Sequence, residues 1–368
     1  MKHKEVFEFL EDWAPKGIAW ERDNVGLQVG DFDSETKGIL LTLDITADAI
    51  EKAIKEKCNL IISHHPLFFN PLNRIDLQSS KGKIINLAIK NGLTIYSAHT
   101  NLDFSKDGVS FSLAKRLGLE KITFLENAPS TQYKLVTFVP EQNVENLLNK
   151  LSEAGAGVIG NYTHCSYQLK GFGTFFGQEN TNPAIGEKGK LEKVEEIRLE
   201  MIFEKWNLNK ILKTLLTNHP YEEPAYDIYP LENKNVNYGF GAVGYLNERM
   251  DLVSFVNLVK KKLRAPSVKY TSGKKKFIEK VGVCGGSGAE LIQRAINSGC
   301  DAFVSADIKY HTFLDYADSI ALIDAGHFYT EFPVLDELKD RLSDLFNRKN
   351  LKIKVIKYNQ KDKINVVE

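Results

Sequence analysis

The chain contains a weak internal duplication, and that repeat limits its fold more than any single motif. The segment GILLTLDITADAIEKAIKEKCNLIISHHP, starting at Gly38, lines up without gaps on KVGVCGGSGAELIQRAINSGCDAFVSADIK, starting at Lys280, when Cys58 is laid over Cys300. Ala47, Ile50, Ala53 and Ser63 then face Ala289, Ile292, Ala295 and Ser305. In each copy a short apolar run gives way to a turn, then to a helix with apolar residues three and four apart, then to a second apolar run. That order is a β-α-β unit. Each copy continues through another helical stretch into a third strand, at 93–98 in the first and 320–325 in the second. Strands alternating with helices predict an α/β fold, a mostly parallel sheet with helices on both faces.

The stretch between the copies, 132–231, has a different pattern. It reads as strand 133–139, helix 144–154, strands near 162–169 and 171–176, strand 196–203, helix 208–218 and strand 225–229. Apart from boundary details, that is the β-α-β-β-α-β order of a ferredoxin-like α+β domain. The expected organisation is therefore a discontinuous α/β domain of 1–131 and 232–368 around an inserted domain of 132–231. A length of 368 residues agrees with two compact units, since single cores stop growing at roughly 250 to 300 residues.

Composition excludes several classes of function. Lys plus Arg and Asp plus Glu number 48 each, which leaves no overall field to gather a nucleic acid or an anionic membrane. The run Lys274, Lys275 and Lys276 follows Ser272 and Gly273 and reads as a solvated turn. The N-terminus sets Val6, Phe7, Phe9 and Leu10 at helical spacing among charges, so a surface helix is expected there rather than a signal core. No run approaches the roughly 18 apolar residues of a membrane span, and a cytoplasmic location is expected. Cys58, Cys165, Cys284 and Cys300 are dispersed and read as buried free thiols.

Chemistry collects at the ends of the expected strands. His64 and His65 follow strand 60–63 and are closed off by Pro66, at the carboxyl end where open α/β sheets place their ligand sites. On a regular strand adjacent histidines point to opposite faces, but on the turn just past its end both can look into one cavity. Asp103, in HTNLD, follows the next strand. His327 and Glu331 follow the matching strand of the second copy and stand four residues apart, which stacks them on one face of a helix. Each has an ordinary structural role available, such as a core histidine or a capping carboxylate. Their convergence at equivalent strand ends points instead to a metal centre. Imidazole and carboxylate without thiolate suit zinc, iron, manganese or cobalt, and a shared carboxylate suits two ions about 3.5 to 4 Å apart.

These motifs resemble one family. WERDNVGLQVG from Trp20, SHHPLFF from Ser63, HTNLD from His99, SADIKYH from Ser305 and DAGHFYTE from Asp324 are similar to those of the Nif-three-like dinuclear-metal proteins, also called GTP cyclohydrolase I type two. The resemblance spans nearly the whole chain. It implies two divalent metal ions per chain, held by His64, His65, Asp103, His327 and Glu331, with Glu331 as the bridge. It also implies an insert similar to the PII and CutA proteins, closing with HPYEEPAYDIYPL, and a toroidal homohexamer whose metal sites face an internal cavity. Within the closing motif, His219, Glu222 and Glu223 read as part of a structural turn between Pro220 and Pro224.

The activity that the resemblance implies is hydrolytic opening of the guanine ring of GTP with release of formate. Two other readings stand beside it: a metal-dependent regulatory or scaffold hexamer without catalysis, and a two-metal phosphoesterase. No catalytic acid or base is assigned; His99, Lys309 and His311 are candidates for proton transfer or phosphate contact. The loop GVCGGSGAE from Gly282 is a weak phosphate cradle, because it lacks the full G-x-G-x-x-G spacing.

Overall fold

The structure is a computed structural model that describes residues 1–364 other than Pro71 and Asn161. The last positions of the expected outer domain, 365–368, lie outside the described residues. The chain divides into two compact units, Met1–Asn127 with Tyr238–Glu368, and Ala128–Asn237.

The strands of the first unit before the insert are β1 (Gly26–Val29), β2 (Gly38–Thr42), β3 (Leu60–Ser63), β4 (Thr94–Ser97) and β5 (Glu120–Asn127). The second unit holds β6 (Gln132–Val139), β7 (Tyr167–Phe176), β8 (Leu191–Glu204) and β9 (Tyr226–Pro230). After it come β10 (Gly239–Asp251), β11 (Lys269–Tyr270), β12 (Phe277–Ser287), β13 (Ala302–Ala306), β14 (Ala321–Asp324) and β15 (Lys354–Lys357).

The α/β class holds, but the copies do not share a sheet. β2, β3 and β4 run parallel in a sheet of order β1-β4-β3-β2-β15, and β12, β13 and β14 run parallel in a second of order β11-β14-β13-β12-β10-β5. Both edges of each parallel triplet are already taken: β15 and β1 flank the first, β10 and β11 the second. No free edge remains through which the triplets could join.

Helices cover both faces of each sheet. Val6, Phe7 and Leu10 of helix His3–Trp13 and Leu338 and Leu342 of helix Val334–Arg348 pack on one face of the first, while Ile50 and Ala53 of helix Ala47–Lys55 and Ile85 of helix Ser80–Lys90 pack on the other. Phe111 and Leu113 of helix Val109–Leu117 and Phe255 and Val259 of helix Leu252–Leu263 cover one face of the second sheet, with Ile292 and Ala295 of helix Ile292–Asn297 opposite. Because both faces are covered, β2, β3 and β13 are buried at every position and read as unbroken apolar runs. Three of these helices start at side-chain caps: Thr46 accepts from the Ala49 amide, Ser79 from Gly82 and Asp251 from Ser254.

The second unit is β-α-β-β-α-β, with helices Val144–Glu153 and Leu208–Asn218 and an antiparallel sheet of order β7-β8-β6-β9. Two details differ from the sequence reading. The two strands expected near 162–176 are one continuous strand, β7, which pairs without a break along β8. In the polar stretch after β9, Glu232, Asn233 and Lys234 are exposed, but Asn235 is buried, and its side-chain amide donates to Thr131 Oγ1 at 2.6 Å and Glu204 Oε1 at 3.0 Å. All four cysteines are free; Cys58 and Cys300 are buried, whereas Cys165 and Cys284 are half-buried rather than fully enclosed. Among the described residues no helix is long and apolar enough to cross a membrane.

Candidate metal centre

The parallel register brings the strand ends together. Ser63 of β3 stands beside Ser97 of β4, and their hydroxyls meet at 2.7 Å. His64 and His65 leave β3, the one-turn helix Thr100–Asp103 follows β4, and helix His327–Glu331 follows β14 of the other sheet. The carboxyl ends of the two triplets thus meet, and all five residues singled out in the sequence lie in one cluster. Glu331, 4% exposed, is its centre. Its Oε2 lies 3.0 Å from His65 Nε2, and its Oε1 lies 2.9 Å from His327 Nε2 and 3.7 Å from His64 Nε2. Asp103 Oδ1 stands 3.5 Å from His64 Nε2.

The orientation of each ring is fixed from behind. His64 Nδ1 donates to the Ala98 carbonyl at 2.9 Å, which leaves Nε2 an unprotonated acceptor in the neutral ring. Burial also disfavours the charged form of His64. His65 Nδ1 is held by Asp44 Oδ1 at 2.8 Å, His327 Nδ1 by Asp307 Oδ2 at 2.7 Å, and His99 Nδ1 by both oxygens of Asp23 at 2.9 Å. Carboxylates or carbonyls that fix the far nitrogen of each imidazole are the usual outer partners of metal-binding histidines.

Two buried polar atoms at the centre of the cluster, His64 Nε2 and Asp103 Oδ1, have no hydrogen-bond partner, while Glu331 Oε2 meets His65 Nε2 at 3.0 Å as an ion pair without hydrogen-bond geometry. His64 Nε2 and Asp103 Oδ1 face each other with no proton on the nitrogen, so the contact is satisfied either by a proton on the buried Asp103 carboxyl or by a cation between the two. The donor set therefore fits divalent metal, with His64, Asp103 and Glu331 on one side and His65, His327 and Glu331 on the other. His65, His327 and Glu331 offer ligand atoms within 4.8 Å of one another, as do His64, His65 and His99.

The electrostatics reflect the crowding of carboxylates. For His65 burial acts to lower the pKa, but the carboxylates of Asp44 and Glu331 prevail and raise it to about 10. His327 is raised to about 9 against its burial by Glu331 and Asp307. Burial and the neighbouring Glu331 push the Asp103 carboxyl well above its ordinary value. Glu331 is held well below its own, since the surrounding imidazoles outweigh its burial.

Sequence reasoning missed the orienting carboxylates Asp23, Asp44 and Asp307. The signals were present: Asp23 lies in the WERDNVGLQVG motif, and Asp44 and Asp307 follow β2 and β13, where strand ends were already under scrutiny. Lys309 and His311 of the SADIKYH motif are both exposed, and Tyr310 between them is 71% exposed. The glycines from Gly282 also have another use. A Cβ on Gly286 would lie 2.2 Å from Glu331 Oε1 and 3.3 Å from the His327 ring, and the residue has φ +66°. The bare backbone there makes room for Glu331, and no phosphate is needed to explain it. His219 is not a ligand either: its Nε2 donates to the Phe138 carbonyl and its Nδ1 accepts from the Tyr221 amide.

The Duf34/NIF3 (NGG1p interacting factor 3) family model matches residues 1–363. The chain belongs to this family. NIF3-family relatives include a protein of Halalkalibacterium halodurans named GTP cyclohydrolase 1 type 2 homolog, 40% identical over 355 residues and 95% of each chain. A Bacillus subtilis protein of the same name is 34% identical, with 96% of this chain and 95% of that one covered. The crystal structure of a Bacillus cereus protein related to NIF3 superposes with a TM-score of 0.86 at 37% identity, over 100% of this chain and 99% of that one.

A cavity of 180 Å³ adjoins the cluster of this NIF3-family chain and shares Asp103 with it. Trp20, Phe104 and Phe240 line it, with ring centroids 5.6 Å apart for Trp20 and Phe104 and 4.8 Å for Phe104 and Phe240. A larger groove, of 920 Å³, lies between helices Val109–Leu117, Leu252–Leu263 and Val334–Arg348. Two of its cations, Lys115 and Arg116, are paired with Glu337 and Asp336, Lys261, Lys262 and Arg264 line it as well, and it contains none of the clustered residues.

Proposed function

We propose that this chain is a dinuclear metal-dependent hydrolase. The observation that carries the reading is the facing pair of buried acceptors, His64 Nε2 and Asp103 Oδ1, beside the Glu331 carboxylate. His64, His65, Asp103, His327 and Glu331 would hold two divalent ions, zinc, iron, manganese or cobalt, with Glu331 shared. Bound there, such ions would supply Lewis acidity and a nucleophile at neutral pH. His99, with its Nδ1 held by Asp23, is the group assigned to move a proton at its Nε2. The aromatic-walled slot beside Asp103, whose rings pack tilted and edge to face on one another, would give apolar contact to the edge of a substrate ring. That slot favours a heterocyclic substrate over an acyclic phosphoester.

Together with the name carried by the relatives, the slot makes ring opening of GTP with formate release the first reaction to test. The same site, without turnover, would serve a regulatory or scaffold role, and we propose a homohexamer as the assembly in either case. Metal-loaded protein should release formate from GTP, and Asp103→Ala should abolish that release. Phosphate liberated from model esters in its place would move the assignment to a phosphoesterase. Turnover of neither, by protein shown to carry its metal, would leave the regulator. Light scattering that returns a monomer would reject the hexamer.

A further inference from the structure

The Ala128–Asn237 unit holds a cavity that the metal centre does not use. Its volume is 420 Å³, within the range of small-molecule sites. Phe138, Phe176 and Tyr221 supply aromatic wall, and Glu196, Glu222 and Glu223 supply three carboxylates; no lysine, arginine or histidine lines it. A wall that combines rings with negative charge repels anions and attracts cations through both carboxylates and ring faces, as Lys193 over the Phe172 ring at 4.5 Å and Arg198 over the Phe138 ring at 5.8 Å already show.

The carboxylates are placed by the fold. Glu196 Oε1 accepts the Tyr221 hydroxyl at 2.8 Å. The Glu196 carboxylate also lies over Gly173, where an added Cβ would come within 2.2 Å of Oε2, so the strand is bare where the acid needs space. Glu222 Oε1 accepts the Asn182 amide at 2.8 Å. The turn that carries Tyr221, Glu222 and Glu223 is locked by His219, whose two ring nitrogens are both taken by backbone groups. Burial and the adjacent Glu196 keep the Tyr221 hydroxyl protonated far above its ordinary range. Among the described residues, these three acids are not within mutual ligating distance, unlike those of the metal centre. Their charge is spread around an apolar wall and does not converge on one point.

We propose that this cavity binds a small organic cation, an ammonium or guanidinium group on an apolar body, held by Glu196 and Glu223 and by the rings of Phe138, Phe176 and Tyr221. The probe for the test is benzyltrimethylammonium, which has no lone pair and so cannot ligate at the metal centre. Titration calorimetry on the full metal-loaded chain should show one saturable site. Glu196→Gln and Glu223→Gln should each weaken binding by about tenfold or more, and Phe176→Ala should do likewise. Neutral benzyl alcohol and anionic benzoate should fail to compete. Glu223→Gln leaves the Tyr221 contact intact, so it decides the matter if Glu196→Gln perturbs the unit's melting. No heat or saturation up to about 10 mM probe, unchanged affinity in Glu223→Gln, or equal binding of benzyl alcohol would each overturn the proposal.

Discussion

His64 has a nitrogen with no proton to give, and it faces two carboxylates that need one. Its tautomer is set by a backbone carbonyl, so the contact is satisfied only by a proton held on Asp103 or by a cation. Glu331→Ala should therefore reduce bound metal from about two ions per chain to a small fraction, read by elemental analysis of protein purified without added metal. No metal in the unaltered chain, even after reloading, would mean a packed polar cluster and would end the hydrolase reading. The orienting carboxylates make a finer test. Asp307→Asn should lower metal affinity by roughly 10- to 100-fold, as loss of an outer partner typically does, measured by competition with a chromogenic chelator. An unchanged affinity would assign Asp307 to the fold alone.

Asp23 carries a pH prediction. Burial would raise its pKa, but hydrogen bonds from His99 and Thr100 and the charge of His99 lower it from 3.8 to about 2. A carboxylate with a depressed folded-state pKa contributes stability that is fully present above its unfolded value, near 4, and is lost as pH falls toward 2. Relative to the unaltered chain, Asp23→Asn should be destabilised at pH 6 and the difference should shrink between pH 4 and 2. Denaturant melts at fixed pH would show it; a constant difference across that window would refute the linkage.

Among the elements, β12 is the one whose sequence looks least like what it does. Its glycines would suit a phosphate loop, yet at Gly286 the constraint is the approach of Glu331 from helix His327–Glu331. Gly286→Ala adds strain at a positive φ and a collision with a buried carboxylate, each of order 1–3 kcal/mol. It should lower both the Tm and the metal content. Leu338→Ala, in helix Val334–Arg348 and fully buried, supplies the contrast. Cavity formation there should cost about 2–5 kcal/mol while metal stoichiometry at 20 °C stays unchanged. If both variants lost metal alike, Gly286 would have no specific tie to the site.

At the scale of the whole molecule, the insertion point is informative. β5 ends at Asn127, and β10 begins at Gly239, and these residues are partners across an antiparallel pair. The Ala128–Asn237 unit therefore leaves the first unit through what would otherwise be the turn of a hairpin. Replacing 128–237 by a short Asn-Gly turn should close that hairpin and give a folded, metal-binding protein. An insoluble or metal-free product would count against the division into units. The His99 assignment is tested in the intact chain: His99→Gln should reduce formate release by about 100-fold or more with metal content retained.

The sequence alone determined the β-α-β units, because burial on both faces leaves unbroken apolar runs and helical spacing that survive in the residues themselves. It also located His64, His65, Asp103, His327 and Glu331, since strand ends are local features and the duplication made them comparable. Partner choice was decided only by the tertiary structure. Whether two parallel triplets share a sheet depends on which strands take their edges, and the strands that do so come from distant parts of the chain. The hands that hold the histidines were hidden for the same reason: Asp23 reaches His99 and Asp44 reaches His65 across separations that no periodicity records, and a hydrogen bond of a given length has no signature until the backbone has brought its two ends together.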